Sequence, residues 1–273
     1  MLKRPNYITD AVCDPAPIYK WPKQKGGFDK LFGKKKIELV DGNMTFSPVR
    51  VRFALYLAMG EWILFRLEKH GKNFETLNHF IEALWASNVD QQYYYEGSEE
   101  WQYGTDYLWT KLEKEPVVDV TTTFAAVKLG HCLKVGYNYF MDDKMIPAAM
   151  PKFCYFVRHV IPDAKVFSVW FEEAFERVSA FVDTSIREPV SAEHELLDFH
   201  DERRPRNGYP IPREVFVPGF EWDRDRMPEQ CAEFTHAFLQ KLDFRKNPFL
   251  ASPEVMRKRG FKGTPYTYSG PQD

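Results

Sequence analysis

Apolar side chains recur at helical spacing along most of the chain. Between residues 47 and 70 they stand at positions 51, 54, 55, 58, 62 and 65, which is the pattern of one helix face. Ser47 is a favourable N-cap, Pro48 fits the first helical position, and Gly71 is typical of a helix end. A second apolar stripe begins after Asn73. The pattern therefore predicts two consecutive helices.

The same spacing predicts further helices towards the C-terminus. We expect them over residues 98–115, 119–142, 151–160, 162–186, 191–200, 228–242 and 252–260. The helix that begins at Pro162 has a predicted buried face of Val166, Val169, Trp170, Ala174, Phe175, Val178 and Phe181. Residues 203–226 are rich in Pro, Gly and Arg, which predicts an irregular connection.

The first 46 residues lack helical periodicity. Pro5, Pro15, Pro17 and Pro22 interrupt any helix, and only residues 37–40 indicate a short strand. No segment repeats with a fixed period, which argues against a regular solenoid. The sequence therefore predicts an all-α fold: one irregular multi-helix domain of roughly seven to nine helices over residues 47–273, with the irregular N-terminal segment 1–46 packed on it.

Composition places the chain among globular proteins with a sizeable core. Of its 273 residues 44% are apolar, and its four cysteines are scattered without a C-x-x-C pair, so we expect reduced and mostly buried thiols. No apolar stretch follows the basic residues at the start. The most apolar segment, residues 53–65, contains Glu61 and is shorter than the about 20 residues of a membrane span. We therefore expect a cytoplasmic protein without a membrane partner.

The net charge of −2 hides blocks of opposite sign. Residues 1–36 carry nine bases against three acids, and residues 203–273 carry thirteen bases against nine acids. Between them, residues 82–119 carry nine acids against two lysines, and residues 163–202 carry eleven acids against three bases. Such asymmetry bears on partners. It differs from the broad basic surface of nucleic-acid binders, so no nucleic-acid partner is expected.

Two local patterns resemble phosphate or metal motifs but fail on spacing. In residues 27–35 one residue too many separates the glycines of a Walker loop, and Lys35 replaces the required Ser or Thr. Residues 142–144, Asp-Asp-Lys, spell a nuclease element with Asp119 as a second carboxylate. These acids would lie at opposite ends of one helix, about 35 Å apart, and could not share a metal ion. A solvated basic loop and an ordinary helix terminus are the preferred interpretations.

Histidines and acids also cluster within residues 193–202. His194 and Asp198 share a helix face, as in some zinc sites, but no H-E-x-x-H is present and three or four converging ligands are needed. A polar, solvated helix is the preferred interpretation. Because no nucleophile motif occurs either, the sequence predicts no enzyme, no metal and no cofactor. An enzyme with a site assembled from scattered residues, metal-dependent around His194 and His200, stays open as the alternative.

The most unusual segment, residues 90–109, interleaves aromatic rings with acids. An exposed patch of this composition is typical of a hot-spot surface for a basic partner. The predicted partner-binding residues are Tyr93, Tyr94, Tyr95, Glu96, Glu99, Glu100, Trp101, Tyr103 and Asp106. In the alternative interpretation, half of the rings belong to the core and the others cover a loop.

The layout resembles the all-helical immunity proteins of bacterial polymorphic-toxin and secreted-effector systems. The local similarity lies in residues 247–254, Asn-Pro-Phe-Leu-Ala-Ser-Pro-Glu, and residues 260–266, Gly-Phe-Lys-Gly-Thr-Pro-Tyr. The resemblance implies a cytoplasmic chain that neutralises a cognate toxin in bacterial competition by occluding its active site. A toxin that acts on nucleic acid has a basic cleft, which would attract an acidic surface. An adaptor or chaperone is a further alternative, and the sequence indicates no oligomeric state.

Overall fold

The computed structural model describes residues 1–16, 48–70, 74–95, 120–141, 149–179 and 209–270. Within these ranges the protein has eight α-helices, three short 3-10 helices and no β-strand. A lone antiparallel backbone bridge joins Tyr94 to Leu250. The predicted all-α fold is therefore confirmed, and the helix count falls inside the predicted range.

The helix boundaries follow the predicted ones closely. The α-helices are α1 (Asp10–Cys13), α2 (Val49–Glu68), α3 (Glu75–Val89), α4 (Val120–Met141), α5 (Ala149–Val160), α6 (Ala164–Ser179), α7 (Met227–Leu239) and α8 (Pro253–Lys258). The 3-10 helices are Gln91–Tyr93, Arg213–Phe216 and Arg224–Arg226. The helices predicted over 98–115 and 191–200, the end of the one predicted over 162–186 and the strand predicted over 37–40 lie outside the described residues.

Helix α2 forms the centre of the fold. It packs against α1, α3, α4, α5 and α6, and 17 of its 20 residues are buried. The sequence predicted one buried face, whereas α2 is buried on every side. Phe53, Leu57 and Leu64 extend the apolar surface beyond the predicted stripe, so neighbouring helices can cover the whole circumference.

Helix α6 corrects one predicted face. Val166 and Val169, predicted to be buried, are 43% and 48% exposed, and Phe175 is only half-buried. Trp170, Ala174 and Val178 are buried as predicted. Phe167 and Phe171 are buried as well, although they were not predicted. This rotation buries two large aromatic rings in place of two valines, and the free energy gained from burial grows with apolar area.

The N-terminal residues 1–16 pack on α2 and α3. They contain α1 where an irregular segment was predicted, and Ile8, Val12 and Cys13 are buried. The Asn78 side chain on α3 accepts a hydrogen bond from the Leu2 N–H at 2.7 Å and donates one to the Leu2 carbonyl at 3.2 Å. A peptide-like pairing thus fixes the start of the chain on the helices. None of the described helices combines the length and apolarity that a membrane span requires.

Candidate functional site

The predicted partner-binding segment begins in the core. The Asp90 side chain caps the 3-10 helix by accepting a hydrogen bond from the Gln92 N–H at 2.8 Å. Tyr93 and Tyr94, which were expected on an exposed surface, are only 1% and 2% exposed, and Tyr95 is half-buried. The rings of Tyr93 and Tyr94 therefore belong to the core. The alternative interpretation of this segment placed half of its rings there.

Pairing with the C-terminal part of the chain explains this burial. The Tyr95 N–H donates to the Phe249 carbonyl, and the Ala251 N–H donates to the Tyr93 carbonyl, both at 2.8 Å. The Tyr93 ring stacks on Tyr266 with centroids 5.2 Å apart. These contacts satisfy the Tyr95 N–H and the Tyr93 carbonyl and hold the Tyr93 ring against the C-terminal segment.

Arg259 completes the attachment of residues 93–95. Its Nη1 donates to the Tyr94 carbonyl at 2.9 Å, and its guanidinium carbon lies 5.6 Å from the centroid of the Tyr95 ring. Tyr95 is thus held on both its backbone and its ring. The chain enters the acidic part of the segment from this fixed point. Glu96, Glu99, Glu100, Trp101, Tyr103 and Asp106 lie outside the described residues, so their role in partner binding stays a prediction.

The stretch over residues 247–254 is the base on which residues 93–95 rest. Asn247, 1% exposed, donates from Nδ2 to the His79 carbonyl at 2.8 Å and to Glu82 Oε2 at 3.0 Å. Its Oδ1 accepts from the Phe249 N–H at 2.9 Å. Asn247 therefore ties the C-terminal segment to α3 through two hydrogen bonds, and the third fixes the turn that leads to Phe249.

Two further residues shape this base. Ser252, where the sequence predicts the last helix to begin, accepts a hydrogen bond from the Val255 N–H and caps α8. Tyr266 takes a left-handed backbone conformation with φ of 59°, and its hydroxyl donates to the Ala251 carbonyl at 2.6 Å. The left-handed conformation is strained in residues other than glycine, and the buried hydrogen bond of the Tyr266 hydroxyl offsets this strain.

A second candidate site surrounds a buried ion pair that the sequence did not predict. Glu61, in the middle of α2, is 1% exposed. Arg213 donates from Nε and Nη2 to its two carboxylate oxygens, each at 2.7 Å, and Trp85 Nε1 donates to Oε1 at 2.7 Å. Arg213 also donates to the Lys3 carbonyl at 3.3 Å. The visible signal was the single carboxylate within a run of apolar residues, but the partner stands 152 positions away.

A partly open cavity of about 200 Å³ adjoins this ion pair. It is lined by Lys3, Pro5, Asn6, Tyr7, Ala58, Glu61, Trp85, Arg213, Glu214, Phe216 and Val217. The Tyr7 ring stacks on Trp170, with centroids 5.4 Å apart, and contacts Trp62 at 5.7 Å. Burial, reinforced by the negative charge of Glu61, raises the pKa of Tyr7 well above its usual value. Its hydroxyl therefore stays protonated and available as a donor.

Burial raises the pKa of all four cysteine thiols above the ordinary value. Burial raises the pKa of Cys132, Cys154 and Cys231 to about 12 in each case, so all three remain thiols near neutral pH. Within the described ranges, no three His, Cys, Asp or Glu side chains converge closely enough to bind a metal ion. The considered motifs at residues 27–35, 142–144 and 193–202 lie outside those ranges.

No protein-family model, no curated protein and no solved structure matches this chain. Its function is therefore inferred from its own residues.

Proposed function

We propose that the chain is an immunity protein that binds a cognate bacterial toxin in the cytoplasm and occludes its active site. The observation that carries the proposal is the anchoring of the acidic-aromatic segment, residues 96–106, at its first end. That segment follows directly on Tyr95, whose backbone is paired with Phe249 and whose ring lies beside Arg259. A binding segment that leaves a fixed point loses less conformational freedom when it binds, which favours affinity.

The composition of the segment favours a basic partner. Glu96, Glu99, Glu100 and Asp106 supply four carboxylates within eleven residues. Such charges accelerate the approach of a basic surface and set the salt dependence of binding. Trp101 supplies a large apolar ring of the type that dominates interface energetics. A toxin with a basic cleft, such as a nuclease, is the partner that this combination fits.

A second acidic surface provides an internal comparison. Glu172, Glu173 and Glu176 lie on the exposed side of α6. Among the residues that the structure describes, only Glu173 of these three forms an ion pair, with Arg177 at 3.6 Å. These acids occupy the C-terminal half of α6, where the helix dipole disfavours negative charge. They are a second, weaker candidate for contact with the toxin, and their charge can be reversed without touching residues 96–106.

The test is protection of growing cells. The toxin to use is the one encoded beside this gene, produced alone, with the wild-type chain, or with a chain carrying Trp101→Ala. The proposal predicts that the wild-type chain restores growth and that Trp101→Ala weakens protection at equal protein level. A chain carrying Glu221→Lys and Glu229→Lys, at two exposed acids outside both acidic surfaces, is the matched control and should protect almost fully. Toxicity unchanged by the wild-type chain would reject the proposal.

A further inference from the structure

The cavity beside Glu61 and Arg213 is lined by none of residues 93–95. Stability alone does not require a buried ion pair, since replacing such a pair with apolar residues is often neutral or stabilising. The pair interrupts a helix that is otherwise buried and mostly apolar. Charged groups kept beside a cavity in this way are typical of a binding site.

The cavity offers unused hydrogen-bond donors. Arg213 donates from Nε and Nη2 to the Glu61 carboxylate, and from Nη2 also to the Lys3 carbonyl. Its Nη1 donates to no atom of the described residues. The Tyr7 hydroxyl likewise has no hydrogen-bond partner among the described residues. Tyr7 and Arg213 line the same small cavity, so both residues offer a donor to a ligand bound there.

The charges around the cavity are balanced. Arg213 and Lys3 supply two positive charges, and Glu61 and Glu214 supply two negative charges. A charged ligand would leave one charge uncompensated in a partly buried place, whereas a neutral polar group adds none. Glu214 also supplies an acceptor for a ligand N–H. Donors for one oxygen, an acceptor for an N–H and zero net charge together match a primary carboxamide.

The walls and the volume of the cavity indicate the shape of the rest of the ligand. Trp85 and Phe216, with ring centroids 5.9 Å apart, provide flat apolar surfaces on the cavity wall. A cavity of about 150 Å³ is large enough for benzene, so about 200 Å³ admits a ring with one polar substituent. We propose that this cavity binds a small neutral carboxamide with a flat apolar body. Its carbonyl oxygen accepts from Tyr7 and Arg213, and its amide nitrogen donates to Glu214.

Calorimetric titration of the whole chain with three probes of similar size tests the proposal. Benzamide is neutral, benzoate is an anion and benzylamine is a cation at neutral pH. We expect saturable binding of benzamide, with benzoate and benzylamine at least about tenfold weaker because each adds an uncompensated charge. No binding of benzamide would mean that the cavity holds water only, and it would overturn the proposal. Equal or tighter binding of either charged probe would overturn it as well.

Two substitutions locate the binding in this cavity. Tyr7→Phe removes one donor and should weaken benzamide binding about fivefold. Ala58→Leu fills the cavity from α2 and should abolish binding. Tyr209→Phe, at a half-buried tyrosine that does not line the cavity, is the matched control and should change nothing. Thermal unfolding identifies variants that fold. Benzamide binding unchanged in folded Tyr7→Phe would place the ligand elsewhere and reject the proposal.

Discussion

Loss of Arg213 should destabilise the fold more than loss of the Glu61 charge. Arg213→Met leaves the Glu61 carboxylate, whose side chain is 2% exposed, with Trp85 as its remaining donor among the described residues. Removing one partner of a buried ion pair costs about 3–5 kcal/mol. In Glu61→Gln the amide oxygen still accepts from Trp85, and the Arg213 side chain, 23% exposed, can reach water. Its cost should be about 1–2 kcal/mol, since charged hydrogen bonds become neutral ones.

A double variant tests whether the uncompensated Glu61 carboxylate causes the loss of stability. Glu61→Gln together with Arg213→Met buries no charge and keeps an acceptor for Trp85. Adding Glu61→Gln should therefore stabilise the Arg213→Met protein by about 2 kcal/mol, because an uncompensated carboxylate disappears. Urea unfolding of the four proteins measures these differences, provided that the slope with urea is unchanged.

An exposed ion pair serves as the control for this cycle. Lys258 and Glu254 lie 3.0 Å apart, and their side chains are 74% and 75% exposed. Lys258→Met should leave stability nearly unchanged, because exposed ion pairs contribute little. A cost below about 1 kcal/mol for Arg213→Met would refute the reasoning. So would a Glu61→Gln substitution that weakens the Arg213→Met protein further.

Three other predictions follow from buried contacts. Asn247→Ala removes hydrogen bonds to two buried acceptors and should cost about 2–3 kcal/mol in urea unfolding, whereas a cost near zero would deny its anchoring role. Gly136→Ala would bring a methyl group within 2.5 Å of the Tyr56 ring and should lower the free energy of unfolding by about 1–3 kcal/mol. Gly60→Ala should cost less, because the nearest atom to its new methyl group lies at 3.0 Å. A larger cost for Gly60→Ala than for Gly136→Ala would contradict this packing. Burial raises the pKa of Tyr93 to about 12, whereas an exposed tyrosine has a pKa of about 10. Between these two pH values the unfolded chain loses the Tyr93 hydroxyl proton and the folded chain keeps it. The free energy of unfolding should therefore fall as pH rises from about 10 to about 12. Tyr93→Phe should make that fall shallower, and an unchanged alkaline slope would count against it.

The helices could be predicted because their signals are local. Apolar spacing and caps such as Ser252 act over a few residues, and they placed the helix boundaries well. The face of α6 was predicted wrongly by a small rotation, because spacing alone does not say whether Val166 or Phe167 makes the better contact. That choice depends on the surface which α2 and the Arg213–Phe216 turn present to α6.

The candidate sites depend on distant parts of the chain. The sequence pattern of Tyr93 and Tyr94 is typical of surface aromatics. Yet their carbonyl oxygens accept from Ala251 and Arg259, more than 150 positions later. Glu61 was visible as the one carboxylate in an apolar run, but nothing local indicated Arg213. Pairing across such separations is decided by the packed fold rather than by local preference, so the sequence could supply the residues but not their partners.

Binding of a basic toxin by the segment which follows Tyr95 can be measured as the kinetics of association and dissociation between the purified chain and the toxin encoded beside its gene, at two salt concentrations. We expect Trp101→Ala to speed dissociation and to cost about 2 kcal/mol, about a thirtyfold loss of affinity. Glu99→Lys with Glu100→Lys should mainly slow association and reduce its salt dependence. Unchanged affinity and unchanged association rate in both folded variants would contradict the account and leave the acidic face of α6 as the surface to test.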